Sequence, residues 1–374
     1  MATTGQVPPW SWLFPILGLL FYGTVALLGI DSTLRLSASS LLLLALLAPI
    51  LVGTVFAAVH HAEAIAAYVG EPFGTLVLTI AVTVIELALI VSVMLTGASN
   101  PELARDTVYA VVMIVCNGLV GLCIVSGGLR FREQSFDITG ASIYLAVLIV
   151  LATLTLILPN FTRALPGPVY SSAQLAFISI ATIALYGVFL FTQTVLHRDY
   201  FIPSTELAIS SGHAATEPRA ASSRARLLAN GLVLLLALLA VVLLAKSFAA
   251  SVHEGLLSLG APGAVTGVII ALLILLPEAM AALQAARRNE LQKSLNLALG
   301  SSLATIGLTI PAVAAVNLVL QERLVLGLEA KEITLLFMTF SASILTLSTG
   351  KTNILFGFLH LVIFGTFLFL SFVP

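Results

Sequence analysis

Runs of about 20 apolar residues, the length a helix needs to cross a bilayer, recur from near the start of this chain to its end. No soluble fold can bury so many. In lipid, a backbone must satisfy its own polar groups, and separate apolar runs of this length do so only as helices. The chain therefore reads as an all-α polytopic membrane protein. Its composition agrees: 59% hydrophobic and 9% charged over 374 residues, with a mean hydropathy of +1.12, is not that of a globular domain. No long basic stripe is present to hold nucleic acid.

The pattern predicts eleven spans, at about 11–30, 39–59, 73–96, 107–129, 140–160, 171–196, 227–248, 263–286, 294–316, 331–349 and 352–373. Charged or Pro/Gly-bearing breaks separate them, for example at about 96–106, 130–137 and 286–293. One polar segment, about 197–226, is long enough to be a solvated connector. Leaving out the first span, it divides the other ten into five and five. The organisation is then an N-terminal tail and helix (about 1–36), a first repeat (37–196), a linker (197–226) and a second repeat (227–374). An odd number of helices per repeat sends the second repeat into the membrane from the opposite side, so the two halves form an inverted repeat.

Lysine and arginine set the orientation. Arg130, Arg132, Arg198, Arg219, Arg224, Arg226, Arg287, Arg288, Lys293 and Lys351 fall on the side of the N-terminus. Arg35, Arg105, Arg163, Lys246, Arg323 and Lys331 fall on the other. The bias makes the N-terminus cytoplasmic and the C-terminus external. No basic n-region opens the chain, so a cleaved signal peptide is not expected. Trp10 and Trp12 look like interfacial anchors of the first span.

Within this apolar frame stand Glu86, in Thr75–Met94, and Glu278, in Ala264–Leu283; neither run contains a lysine or arginine. An ionised carboxylate at the bilayer midplane costs several kcal/mol, so such residues usually mark an ion path or proton relay. With no internal counter-charge, a cation or protons must compensate them. Gly70-x-x-x-Gly74 opens the helix carrying the first glutamate and Gly263-x-x-x-Gly267 the helix carrying the second, with Gly74 twelve and Gly267 eleven residues ahead. One glutamate per repeat, in matching context, places a shared site where the repeats meet. Competition of cation and protons for one such site is what antiport needs.

Ca2+ takes six to eight oxygens, more than two carboxylates supply. Thr83 and Thr79 lie one and two turns before Glu86 on one face. Pro277 has no N–H to donate, which frees carbonyls one turn back, at Leu273 and Ile274. In the helix after each glutamate helix, Asn117 and Ser302 are candidate ligands or helix–helix hydrogen bonders. Glu71, Glu63, His60 and His61 cluster near the cytoplasmic end of the Glu86 helix, where a titratable mouth can collect cations. Cys116 and Cys123, about 10 Å apart along one helix, are too distant for a disulfide and read as small buried apolar residues.

GEPFGTLVLTIAVTVIELALI (70–90), LLPEAMAAL (275–283) and SLNLALGSSLATIGLTIP (294–311) carry a resemblance to a known family. The chain resembles the calcium/proton exchangers of the cation/calcium exchanger superfamily, most closely their bacterial ChaA-type antiporters, over nearly its whole length outside the N-terminus and linker. GGLRF (127–131), YGVFLFTQTVLH (186–197) and STGKTNILFGFLHL (348–361) match as well. Unlike the eukaryotic-type branch, which has a Gly-Asn pair before each glutamate, this chain has Val82-Thr83 and Ile274-Leu275. The resemblance implies Glu86 and Glu278 as the essential pair, a bacterial inner-membrane location, and exchange of Ca2+, Na+ or K+ for protons. It implies no cofactor and no enzymatic activity; the partners are membrane lipid, the transported cations and protons. The expected function is extrusion of Ca2+ against inward protons, with a monovalent Na+(K+)/H+ antiporter as the alternative.

Overall fold

The computed structural model describes residues 8–28, 38–70, 77, 80–87, 101–201, 224–320 and 324–373. Among these, ten helices are long and apolar enough to cross a membrane. They are α1 (Pro9–Leu27), α2 (Leu42–Val69), α4 (Leu103–Phe131), α5 (Ile138–Phe161), α6 (Ser172–Leu196), α7 (Arg224–Leu256), α8 (Ala264–Arg287), α9 (Leu291–Leu318), α10 (Ala330–Leu347) and α11 (Ile354–Phe372). The expected span at 73–96 is described over part of its length, where 80–87 is helical and carries Glu86; this is α3. The eleven-helix reading holds.

Polar residues at the breaks start several of these helices. Asp137 caps α5 by accepting from the Gly140 N–H at 2.9 Å, and Ser171 with Gln174 forms a capping box on α6. Glu329 and Glu332 do the same for α10, and Asn353 caps α11 through the Leu355 N–H. Helix α2 runs ten residues past its expected end. The segment AAVHHAEAIAAYV is rich in alanine, so it stays helical where hydropathy has already fallen. It stops at Gly70, whose φ of 76° is the left-handed conformation of a helix C-terminus, with its N–H bonded to the Ala66 carbonyl. Gly70 thus ends α2 rather than opening the Glu86 helix. Gly74 lies outside the described residues.

Numbered within each repeat, α2 corresponds to α7, α3 to α8, α4 to α9, α5 to α10 and α6 to α11. Helix packing is reciprocal under that exchange. Helix α2 packs on α7, α4 on α11 and α9 on α6, α5 on α9 and α10 on α4, and α5 on α10. Two repeats related by a two-fold axis must pack in this way.

The chain forms two compact units, Met1–Asn100 with Ala215–Thr266 and Pro101–Ala214 with Gly267–Pro374. Each unit takes helices from both repeats, so the units cut across the division at the linker. Most of the linker lies outside the described residues. In the first unit, α1 lies along both α2 and α7. In the second, two short strands missed by the helical pattern, β1 (Glu133–Ser135) and β2 (Lys351–Asn353), pair antiparallel. They gather the loops bearing Arg130, Arg132, Arg287, Arg288 and Lys351 at one end of that unit. Arg130 donates to the Arg287 carbonyl at 3.1 Å there.

Buried Gln134 on β1 donates to the Ala286 carbonyl at 2.9 Å and to Asn289 Oδ1 at 3.1 Å, tying the strand pair to the end of α8. Gln134→Ala leaves the Ala286 carbonyl short of that donor, and should cost about 1 kcal/mol. A lower midpoint in thermal unfolding of the purified protein checks it.

At the opposite end of this unit, residues 324–328 run extended and buried. Val325 donates to the Pro101 carbonyl at 3.0 Å, Gly327 to Pro168 at 3.1 Å and Leu328 to Leu156 at 2.8 Å. The backbone there satisfies itself against three other segments, as irregular chain at depth must.

Candidate functional site

In the first unit, the described part of α3 turns one face inward. Ala81, Thr83, Ile85 and Glu86 are buried, while Ile80 and Val84 are exposed. Glu86 is 2% exposed. Thr83, one turn before it, is also buried, and its hydroxyl has no hydrogen-bond partner among the described residues. Thr79 and Glu71 lie outside the described residues.

His60 and His61 stand inside α2, where it packs on α1. His61 is fully buried, with Nδ1 3.0 Å from Asn230 Oδ1 and the Trp12 ring edge-on at 4.9 Å. His60 Nδ1 is 2.8 Å from the Phe56 carbonyl, with Trp10 edge-on at 5.1 Å. The two tryptophans expected as interfacial anchors thus also cover the two histidines.

In the second unit, α8 remains helical through buried Pro277, whose missing N–H leaves the Leu273 carbonyl without its intrahelical donor. Leu273 and Ile274 are buried, and Glu278 is half-buried. Helix α8 runs parallel to α4. A side chain on Gly267 would meet the backbone of Asp106 and Thr107 at 3.1 Å, and further on Arg287 Nε donates to Ser126 Oγ at 3.0 Å. Glu278 lies eleven residues after Gly267 and nine before Arg287. Asn117 lies eleven after Asp106 and nine before Ser126. Glu278 and Asn117 are therefore at the same level along the two helices.

At that level α4 widens into a π turn, Ile114–Leu119. Such turns are frequent at functional sites. The Asn117 amide faces α10 and α11: Nδ2 donates to Thr339 Oγ1 at 2.9 Å, and Oδ1 lies 3.2 Å from His360 Nδ1. Thr339 donates its hydroxyl hydrogen bond to the Leu335 carbonyl, so it can only accept from Asn117. The asparagine oxygen then accepts a hydrogen bond from His360 Nδ1–H, and His360 Nε2 accepts one from the Thr346 hydroxyl at 3.0 Å. A neutral imidazole satisfies every contact. These hydrogen bonds tie α4 to α10 and α11 through Asn117.

Helix α9 also carries a π turn, Thr305–Thr309, as do α5 at Thr153–Ile157 and α6 at Thr192–Leu196. Ser302 and Thr309 are buried, and neither hydroxyl has a hydrogen-bond partner among the described residues. Thr309 was not singled out from sequence; a lone threonine in an apolar run gives no signal until burial and missing partners are seen. Cys116 and Cys123 are free and buried. No three His, Cys, Asp or Glu gather into a metal cluster among the described residues.

A family model described as sodium/calcium exchanger protein matches residues 39–195 and 230–373, the two five-helix repeats without the first helix or the linker. The y4hA protein of Sinorhizobium fredii is 47% identical over 372 residues, 99% of this chain and 98% of that protein. The sodium-potassium/proton antiporter ChaA of Escherichia coli is 36% identical over 361 residues, 96% of this chain and 94% of that one. Among solved structures, native YfkE has a TM-score of 0.71 at 18% identity, covering 97% of this chain and 100% of its own. The H+/Ca2+ exchanger CAX has a TM-score of 0.66 at 13% identity, covering 97% and 89%. At those identities the solved structures carry the fold.

Proposed function

We propose, from the premise that this chain belongs to the sodium/calcium exchanger protein family, that it is a secondary active antiporter extruding Ca2+ in exchange for external protons. The observation that carries this reading is one glutamate in the second helix of each repeat, out of full contact with water and accompanied by buried hydroxyls that have no hydrogen-bond partner among the described residues. Glu86 and Glu278, deprotonated and open to the cytoplasm, take up the cation. Thr83, Ser302 and the Leu273 and Ile274 carbonyls are neutral oxygens available to it, with Asn117 as a positioning residue. Helix rearrangement opens the site outward, and protons displace the cation because carboxylates that hold protons no longer hold Ca2+. Two protons for one Ca2+ is electroneutral at two carboxylates. The protein sits in a bacterial inner membrane with its N-terminus inside and C-terminus outside, by the arginine and lysine bias, and needs no cofactor.

The 36% identity to a sodium-potassium/proton antiporter favours a second reading, exchange of Na+ or K+ for protons at the same glutamates. Uptake of radiolabelled Ca2+ into proteoliposomes, driven by a pH gradient, separates the two. Uptake that collapses with the gradient and resists excess Na+ and K+ is the expected result. No Ca2+ uptake, with proton release on adding Na+ or K+, assigns the monovalent exchange.

A further inference from the structure

Away from both glutamates, the second unit gathers cations at one end. Arg130 and Arg132 stand at the end of α4, Arg287 and Arg288 at the end of α8, and Lys351 on β2, which pairs with β1 just after α4. All five are exposed. None of the ion pairs among the described residues includes one of them. The carboxylates of the same loops are placed otherwise. Asp137 caps α5, Glu290 lies 3.9 Å from Lys293, and Glu133 is set opposite Asn353 in the strand pair.

Two of the guanidiniums are held in place. Arg130 donates to the Arg287 carbonyl at 3.1 Å and lies 5.3 Å from the centre of the Phe131 ring, while Arg287 Nε donates to Ser126 Oγ at 3.0 Å. Ser126 and Arg130 are one turn apart, so both guanidiniums lie along the same turn of α4. Like charges fixed side by side cost free energy unless an anion joins them, and both keep unused N–H donors after these contacts. Arg132 ends α4 at φ 66°, a conformation usually left to glycine. Each of the five cations lies within three residues of the end of a span, the level of lipid headgroups. The flanking surface is apolar. Leu129, beside Arg130, and Leu355, four residues after Lys351, are each 72% exposed, and Phe358 and Val362 continue the exposed stripe along α11.

We propose that this end of the second unit is a docking surface for anionic phospholipid. Arg130 and Arg287 take the headgroup phosphate, and Arg132, Arg288 and Lys351 supply the surrounding positive charge. Guanidinium forks match phosphate oxygens two at a time, and basic clusters at the ends of spans attract anionic lipid. The acyl chains lie along Leu355, Phe358 and Val362. Free phosphate shares the chemistry of the headgroup but gains nothing from that apolar stripe. The surface goes beyond the exchange reading and holds whichever cation is carried.

The test is native mass spectrometry of the full chain in detergent, with anionic phosphatidylglycerol or zwitterionic phosphatidylcholine added in turn. The unaltered protein should retain phosphatidylglycerol the more strongly. Arg130→Gln combined with Arg287→Gln should weaken that retention about 25-fold, roughly fivefold for each charge. Arg132→Gln combined with Lys351→Gln should weaken it as well, and these two side chains make no hydrogen bond among the described residues on which folding could depend. Arg163→Gln, an exposed arginine beyond the opposite end of α5, should leave it unchanged. Equal retention of the two lipids, unchanged retention in both double variants, or the same loss in Arg163→Gln would overturn the site. Displacement of phosphatidylglycerol by inorganic phosphate at the same concentration would overturn lipid as its occupant. No cation flux enters this measurement, so its failure is distinct from a failure of the exchange reading.

Discussion

Glu278→Gln protein in liposomes should exchange no cation for protons above the level of protein-free liposomes, and Glu86→Gln should fail in the same way. Glutamine keeps the size and one oxygen of the side chain but can neither neutralise a cation nor carry a proton. The expected loss is about 100-fold or more in exchange rate, or roughly 3 kcal/mol. Folding should not suffer, since replacing a carboxylate that is costly to ionise with a neutral amide removes that cost. The thermal midpoint without cation should therefore be unchanged or raised. Proton-coupled flux surviving in either variant would show that the glutamates are structural acids, and the shared-site mechanism would be wrong.

The second large effect is on packing. Helices α4 and α11 meet backbone to backbone through Gly121 and Gly357. A Cβ on Gly357 would stand 2.9 Å from the Val125 nitrogen and 3.0 Å from the Gly121 carbonyl oxygen. Backbone cannot swing aside as a side chain can, so Gly357→Leu must separate the helices. It would also stretch the 3.2 Å contact between His360 and Asn117 one turn further along α11. Overpacking of this kind costs about 3 kcal/mol, read as a lower unfolding midpoint and lower yield of folded protein. Gly365 lies on the same helix with nothing within 4 Å of its added Cβ. Gly365→Leu should behave like the unaltered protein, and equal loss from both would remove close approach as the cause.

Hydropathy made the spans legible because each apolar run answers to lipid on its own, whatever its neighbours. The inverted repeat was legible for a related reason: Glu86 and Glu278 stand out against lipid-compatible surroundings. What escaped depends on residues far apart in sequence. The end of α2 was set by alanine helix propensity and by Gly70, after the hydropathy signal had faded. The pairing of β1 with β2, and the threading of 324–328 against Pro101, Leu156 and Pro168, involve polar backbone groups that no periodic pattern announces. Asn117 was visible as a polar residue in an apolar helix. Its partners Thr339 and His360, more than 200 residues away, decide which way its amide points. Ser302 carried a weak signal from its small polar neighbours, while Thr309 carried none.

The interleaving of the two repeats bears on how the protein is made. Helix α4 enters the membrane early, with a glycine surface at Gly121 and an amide at Asn117 whose side-chain oxygen and nitrogen partners lie on helices of the other repeat, apart from Met113 of α4 itself. The partners for both, Gly357 and His360 on α11 and Thr339 on α10, are synthesised after some 200 more residues. Until then the amide must be satisfied by stray contacts or shielded by the insertion machinery. Assembly is therefore bound to finish late, and a ribosome that stalls between α4 and α10 leaves behind a chain whose glycine-lined α4 face still lacks the helix it packs against.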